Sequence, residues 1–162
     1  MVSAARNDEA SNPFWDYSLS VYARPGVAAA CLALQDDCGL DVNTLLYAAW
    51  LASMGLDLSR EHLQQVEAAV DDWRARVVRP LRELRVSLRD FEPAVALREE
   101  LTALELQAER GQQDLMYALY TAYDPGTRPD ALQHNLALVL QCRAGGGSRP
   151  EEALRRLLAL LS

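Results

Sequence analysis

Residues 60–88 read REHLQQVEAAVDDWRARVVRPLRELRVSL, and their periodicity decides the fold class. Leu63, Val66, Val70, Trp73, Val77, Leu81, Leu84 and Leu88 step by three or four residues throughout. At ~100° per residue these positions fall in one stripe roughly 80° wide, which predicts a long helix with one apolar side for a core or a partner helix. Pro80 lies inside the run. It lacks the N–H that an inner turn needs and its ring crowds a carbonyl one turn back, so a kink or a split is expected there.

Downstream, Phe91-Glu92-Pro93 reads as a turn, and Val95, Leu97, Leu101, Leu104, Ala108, Leu115 and Leu119 continue the helical spacing. So short a connection makes the two helices antiparallel neighbours. Gly111 is a weak point, at ~1 kcal/mol relative to Ala, where the second of them is expected to break. Asp124-Pro125-Gly126 is a further turn, followed by a helix over roughly Pro129 to Arg143. A glycine-rich tract then precedes Ser148-x-x-Glu151, a capping-box pattern that opens a last amphipathic helix with Leu154, Leu157, Leu158 and Leu161 on one side.

Upstream of the long run, Asn12-Pro13 has the residues of a helix start, and the helix it opens is rich in aromatics. Pro25-Gly26 interrupts that helix. Val27, Cys31, Leu34 and Cys38 then mark a second helix closed by Gly39, and Asp41 opens a third that runs to Gly55. The third helix is apolar on more than one side, which suits the centre of a core. No segment alternates with period two. The expected fold is therefore an all-α, single-domain bundle of about six to seven helices with a long antiparallel helical hairpin. The domain should span 12–143, with a disordered leader at 1–11, a Gly-rich linker at 144–149 and a C-terminal amphipathic helix at 150–162 that docks on the domain or on a partner.

Composition narrows the function classes. With 16 basic and 23 acidic residues the net charge is −7, which opposes general binding to nucleic-acid backbones and anionic membranes. Every Lys-or-Arg position is Arg. Cys31, Cys38 and Cys142 cannot all pair within the chain, and the polar first residues lack an apolar signal core, so a cytoplasmic location is expected. No apolar run approaches the ~20 residues of a membrane span.

The run Asn12-Pro-Phe-Trp-Asp-Tyr-Ser-Leu-Ser-Val-Tyr22, followed by Pro25-Gly-Val, Ala30-Cys-Leu, Leu34-Gln-Asp, Asp41-Val-Asn-x-Leu-Leu and Trp50-Leu-Ala, resembles a proteobacterial family of small uncharacterised proteins, a domain of unknown function. The resemblance covers roughly residues 12–125 and is most specific over 12–54. It implies no established activity and no catalytic residues. It does imply a possible partner, because relatives can be encoded beside an ABC-type ATPase.

Two sets of side chains are candidates for a site. The first is a polar cluster in the N-terminal third: Asp16, Tyr17, Tyr22, Gln35, Asp36, Asp37, Asp41 and Asn43. Converging carboxylates would suit a hard cation or acid–base work; the structural alternative has Asp41 capping a helix and Asp36 and Asp37 facing water. The second is an arginine face, Arg74, Arg79, Arg82, Arg85 and Arg89, flanking the long stripe. Guanidinium forks recognise carboxylates and phosphates; the alternative pairs them with Glu99, Glu100, Glu105 and Glu109 on the antiparallel helix. Phe14, Trp15, Tyr17 and Tyr22 either line a groove or fill the core, with Trp15 the candidate for partner contact.

With His62 and His134 the only histidines, no metal-ligand spacing exists, and no metal is expected. A Cys142–His134 nucleophile pair has no activating turn near it. Phosphate-binding glycine loops and Ser-His-Asp signatures are absent, so no cofactor is expected. The reading that follows is a non-catalytic protein-interaction or adaptor module with a protein partner. The alternative is a small metal-assisted hydrolase or small-molecule-binding protein using Asp16, Asp36, Asp37 and Asp41. Homodimerisation through surplus apolar surface on the hairpin is a third outcome.

Overall fold

A computed structural model describes residues 11–143 and 149–162. Helices dominate, and no strand occurs among the described residues beyond a single bridge between Leu56 and Thr127. The fold is the all-α bundle expected. The expected leader, apart from Ser11, and the glycine tract at 144–148 lie outside the described residues, as does the capping role of Ser148.

The first helices begin and end where their residues dictate. Helix α1 (Pro13–Tyr22) starts behind Asn12, whose Oδ1 accepts from the backbone N–H groups of Phe14 and Trp15. Helix α2 (Val27–Cys38) stops at Gly39, which takes φ 64°, a left-handed conformation that a side chain would resist. Asp41 caps α3 (Val42–Ser53) by accepting from Thr44 N–H, and Ser59 caps α4 (Arg60–Trp73) by accepting from His62 N–H.

Nine consecutive residues of α3, Asn43 to Leu51, are buried, so this helix is the axis of the core. Around it lies an aromatic cluster: Phe14 meets Tyr47 and Trp50 with ring centroids 5.3 Å apart, and Trp50 meets Tyr120 at 4.6 Å. Phe14 is thus core, whereas Trp15, Tyr17 and Tyr22 are half-buried. Helix α6 (Val95–Tyr120) supplies Tyr117 and Tyr120, α7 (Ala131–Arg143) packs on α3, and α8 (Arg149–Leu161) packs on α2 through Leu154 and Leu157.

The long run departs from expectation. It is not split: α4, a π-helical turn at Arg74–Val78 and α5 (Arg79–Ser87) follow one another without a break, and the irregularity expected at Pro80 takes the form of that π turn. Counted as one helix, they leave seven in the described chain. Arg79 N–H bonds to the carbonyl of Arg74, five residues back, so the turn just before Pro80 holds one residue more than an α-turn. That extra residue re-registers everything after it. The buried side is Leu63, Val66 and Val70 before the π turn and Arg74 and Val78 in it. Trp73 is 36% exposed and Leu84 47% exposed, and α5 has no buried residue at all. The stripe read from the sequence therefore faces the core over residues 63–70 and is partly in solvent from Trp73 onward.

Helix α6 does not break at Gly111 either. A Cβ there would come within 2.9 Å of the Trp73 ring, whose indole N–H donates to the Ala108 carbonyl at 2.8 Å. The glycine is the space into which that ring lies.

Candidate functional site

Between α1–α3 on one side and α5 with α6 on the other lies a cleft of about 560 Å³. Its apolar lining includes Trp15, Leu19, Leu32, Leu46, Val86 and Leu106. The two candidate sets, separate in sequence, meet here in part. Trp15, Tyr22, Gln35, Asp36 and Asn43 line it from α1–α3, and Arg82, Arg85 and Arg89 line it from the end of the long helix and the turn beyond. Asp16, Tyr17, Asp37, Asp41, Arg74 and Arg79 do not.

The wall toward the hairpin is an ion-pair lattice. Arg82 donates from Nε to Glu105 (3.0 Å), from Nη2 to Glu109 (2.9 Å) and from Nη1 to the Gln35 side chain on α2 (3.2 Å), and Arg85 also pairs with Glu105. These are the partners the pairing alternative foresaw for two of the five arginines. Burial by itself would raise the Glu105 pKa, but hydrogen bonds from Arg85 and Arg82 outweigh it and hold the carboxyl below its ordinary value. Glu109 goes the other way, raised by burial and by the neighbouring Glu105 charge against the pull of Arg82. Burial likewise raises the Tyr22 hydroxyl. Arg89, one turn beyond Arg85, has its guanidinium in no ion pair among the described residues, and the same holds for Arg79, which points elsewhere.

Asp41 and Arg74 form a separate, buried junction. Besides capping α3, Asp41 pairs with Arg74 Nε at 3.0 Å and accepts from Gln112 Nε2 at 3.0 Å. Arg74 also pairs with Glu67 at 3.0 Å, and Thr44 Oγ1 donates to Glu67 at 2.6 Å. This ties α3, the π turn and α6 together, so Asp41 is structural. Asp16, Asp36 and Asp37 are exposed, and Tyr17 is half-buried with its hydroxyl raised by burial. Among the described residues no three His, Cys, Asp or Glu side chains are placed to hold one metal ion. The four aspartates thus do not form the cation site the hydrolase alternative needs.

The other polar candidates resolve into packing. His62 accepts or donates at Nε2 with Tyr47 Oη at 2.7 Å and stacks on Tyr123 with centroids 3.6 Å apart; burial lowers its pKa. His134 sits 3.3 Å from Asp57, while Cys142 accepts from Arg60 at 3.3 Å, so the imagined Cys142–His134 pair is not made. Cys31 and Cys38 are free thiols, and burial pushes Cys31 up to about 12.

The floor of the cleft holds what sequence reasoning missed. Ser18 of α1 and Gln113 of α6 line it while being only 3% and 1% exposed. Gln113 Nε2 donates to Asn43 Oδ1 at 2.7 Å, but Gln113 Oε1 and Ser18 Oγ have no partner. Leaving such an atom unpaired costs about 1–3 kcal/mol, so a buried pair at the base of an open cleft calls for something to pair with. The one sequence signal was Gln112-Gln113, two adjacent uncharged polar residues in the interior of a long helix.

A second surface lies behind the hairpin. By helical arithmetic at ~100° per residue Leu81, Leu84 and Leu88 form a stripe about a quarter turn from the cleft-lining arginines, and Leu97, Leu104 and Leu115 share one side of α6 away from the cleft. Leu84, Leu97, Leu104 and Leu115 are all exposed.

The described residues thus form a helical bundle with an open cleft on one side of its hairpin and exposed leucines on the hairpin itself. The chain belongs to the family described as "Protein of unknown function (DUF2390)", whose model matches residues 13–116. No curated protein and no solved structure matches it.

Proposed function

We propose that this chain is a non-catalytic interaction module that docks a partner protein on the outer apolar face of the α5–α6 hairpin. One observation carries the reading: the apolar stripe of the long helix emerges into solvent after the π turn, leaving Leu84, Leu97 and Leu104 uncovered on adjacent helices. Exposed apolar residues clustered on one face mark interaction sites, and a row of leucines on α6 with Leu84 on α5 suits a partner helix lying along the hairpin. The unpaired thiols and acidic surface favour a cytoplasmic setting; no described helix is long and apolar enough to cross a membrane.

The test is a photo-cross-linking residue placed at Leu104 in living cells, with Gln64, exposed on α4, as the control position. One defined adduct at Leu104 is expected, absent at Gln64 and lost when Leu84→Asp is added. An adduct of twice the chain's mass identifies the partner as a second copy; an adduct with an ABC-type ATPase identifies the partner that the family resemblance suggests. No adduct, or one indifferent to Leu84→Asp, removes the reading.

A further inference from the structure

We infer that the cleft on the opposite side of the hairpin is a binding site for a medium-chain organic acid bearing a hydroxyl at its far end. The cleft's 560 Å³ falls in the range of sites for small molecules, and its make-up is theirs: apolar walls with a few placed polar groups.

The polar groups sit at two ends. Thr102 and Gln113 both line the cleft from α6, eleven residues apart, so it runs about 16 Å along that helix by helical rise. At one end, Gln113 presents a carbonyl oxygen that is buried, unpartnered and held in orientation by the bond from its own amide nitrogen to Asn43. That oxygen accepts only, so the ligand must donate there. Ser18 Oγ of α1, also buried and unpartnered, is a second polar group on the floor of the cleft. Arg89 belongs to the other end. The hairpin is antiparallel with Arg82 paired to Glu105 and Glu109, and Arg98 of α6 donates to the Arg89 carbonyl, which places Arg89 toward Thr102. Arg82 and Arg85 are already bound to Glu105, but the Arg89 guanidinium is in no ion pair among the described residues, so a carboxylate is drawn to it. Asp36, on the opposite rim, disfavours a second negative charge. Between the ends, Leu19, Leu32, Leu46, Val86 and Leu106 offer an apolar bed for a hydrocarbon chain.

The probe is 12-hydroxydodecanoate, whose extended chain suits that span, titrated into the full chain by calorimetry. Dodecanoate lacks the far hydroxyl and 1,12-dodecanediol lacks the charge. Saturable one-to-one binding of the hydroxy acid is expected, with dodecanoate weaker by about fivefold or more. Arg89→Gln should weaken the hydroxy acid by a similar factor and leave the diol unchanged. Gln113→Leu should erase the preference for hydroxy acid over dodecanoate; Gln113→Met makes the same comparison if that variant does not fold. No saturable binding of 12-hydroxydodecanoate, equal binding of dodecanoate, or indifference to Arg89→Gln would overturn the inference.

Discussion

Helices α4 and α5 are two halves of one unbroken rod with one continuous apolar stripe in sequence, yet they lead opposite lives. In α4 the stripe is core: Leu63, Val66 and Val70 are buried against the bundle. In α5 the side toward α1–α3 belongs to Arg82 and Arg85, Leu84 is exposed, and Leu81 and Leu88 are half-buried. The difference is one residue, the extra one in the π turn at Arg74–Val78. The missing N–H of Pro80 explains why the helix widens there. A local backbone irregularity thus divides the long helix into a part buried in the core and a part with no buried residue.

The comparison can be broken or sharpened at graded cost. The largest effect is expected from Arg74→Met, which strands Asp41 and Glu67 in a buried junction; loss of about 3–5 kcal/mol in urea denaturation is expected, and a loss under 1 kcal/mol would show that the π turn is not pinned by this contact. Next comes Leu63→Ala in α4, at about 2–4 kcal/mol by the same measurement. Its counterpart in α5, Leu84→Ala, should stay within about 0.5 kcal/mol, and a larger cost would mean that the outer face is covered.

A pH scan probes the core behind α4. Burial lowers the folded pKa of His62, so the unfolded chain binds its proton more readily. The contribution of His62 is then intact above the unfolded value near 6.5 and erodes as pH falls through it toward the lower folded pKa. Denaturation midpoints should drop between about pH 7 and 5 in the native chain and drop less in His62→Gln; equal slopes would assign the loss elsewhere. The smallest effect belongs to Gly111→Ala. An exposed helix interior would gain about 1 kcal/mol from that change, but here the new Cβ displaces the Trp73 ring and its bond to Ala108. A net change near zero, with a red shift of tryptophan emission, is expected.

The helix starts and stops were legible from single residues because capping is local. Asn12, Asp41 and Ser59 need only the backbone amides two or three residues on, and Gly39 needs only its own φ. The candidate site was half legible. Arginines and acids could be named, but their sorting into a buried junction at Arg74 and a cleft wall at Arg82 and Arg85 depends on helix registration that period alone does not reveal. Ser18 and Gln113 were invisible for a related reason: a polar residue on a helix earns notice only when its surroundings are known to be dry.

What the sequence by itself determined is the class of fold and the order and ends of its helices, since apolar spacing and caps act within a few residues along the chain. Which side of each helix faces what was decided by tertiary structure. A tryptophan resting on a glycine of another helix and a buried arginine reaching Asp41 across 33 positions hold that registration, and both are contacts between segments far apart in sequence; the π turn beside Pro80 shifts it locally by one residue.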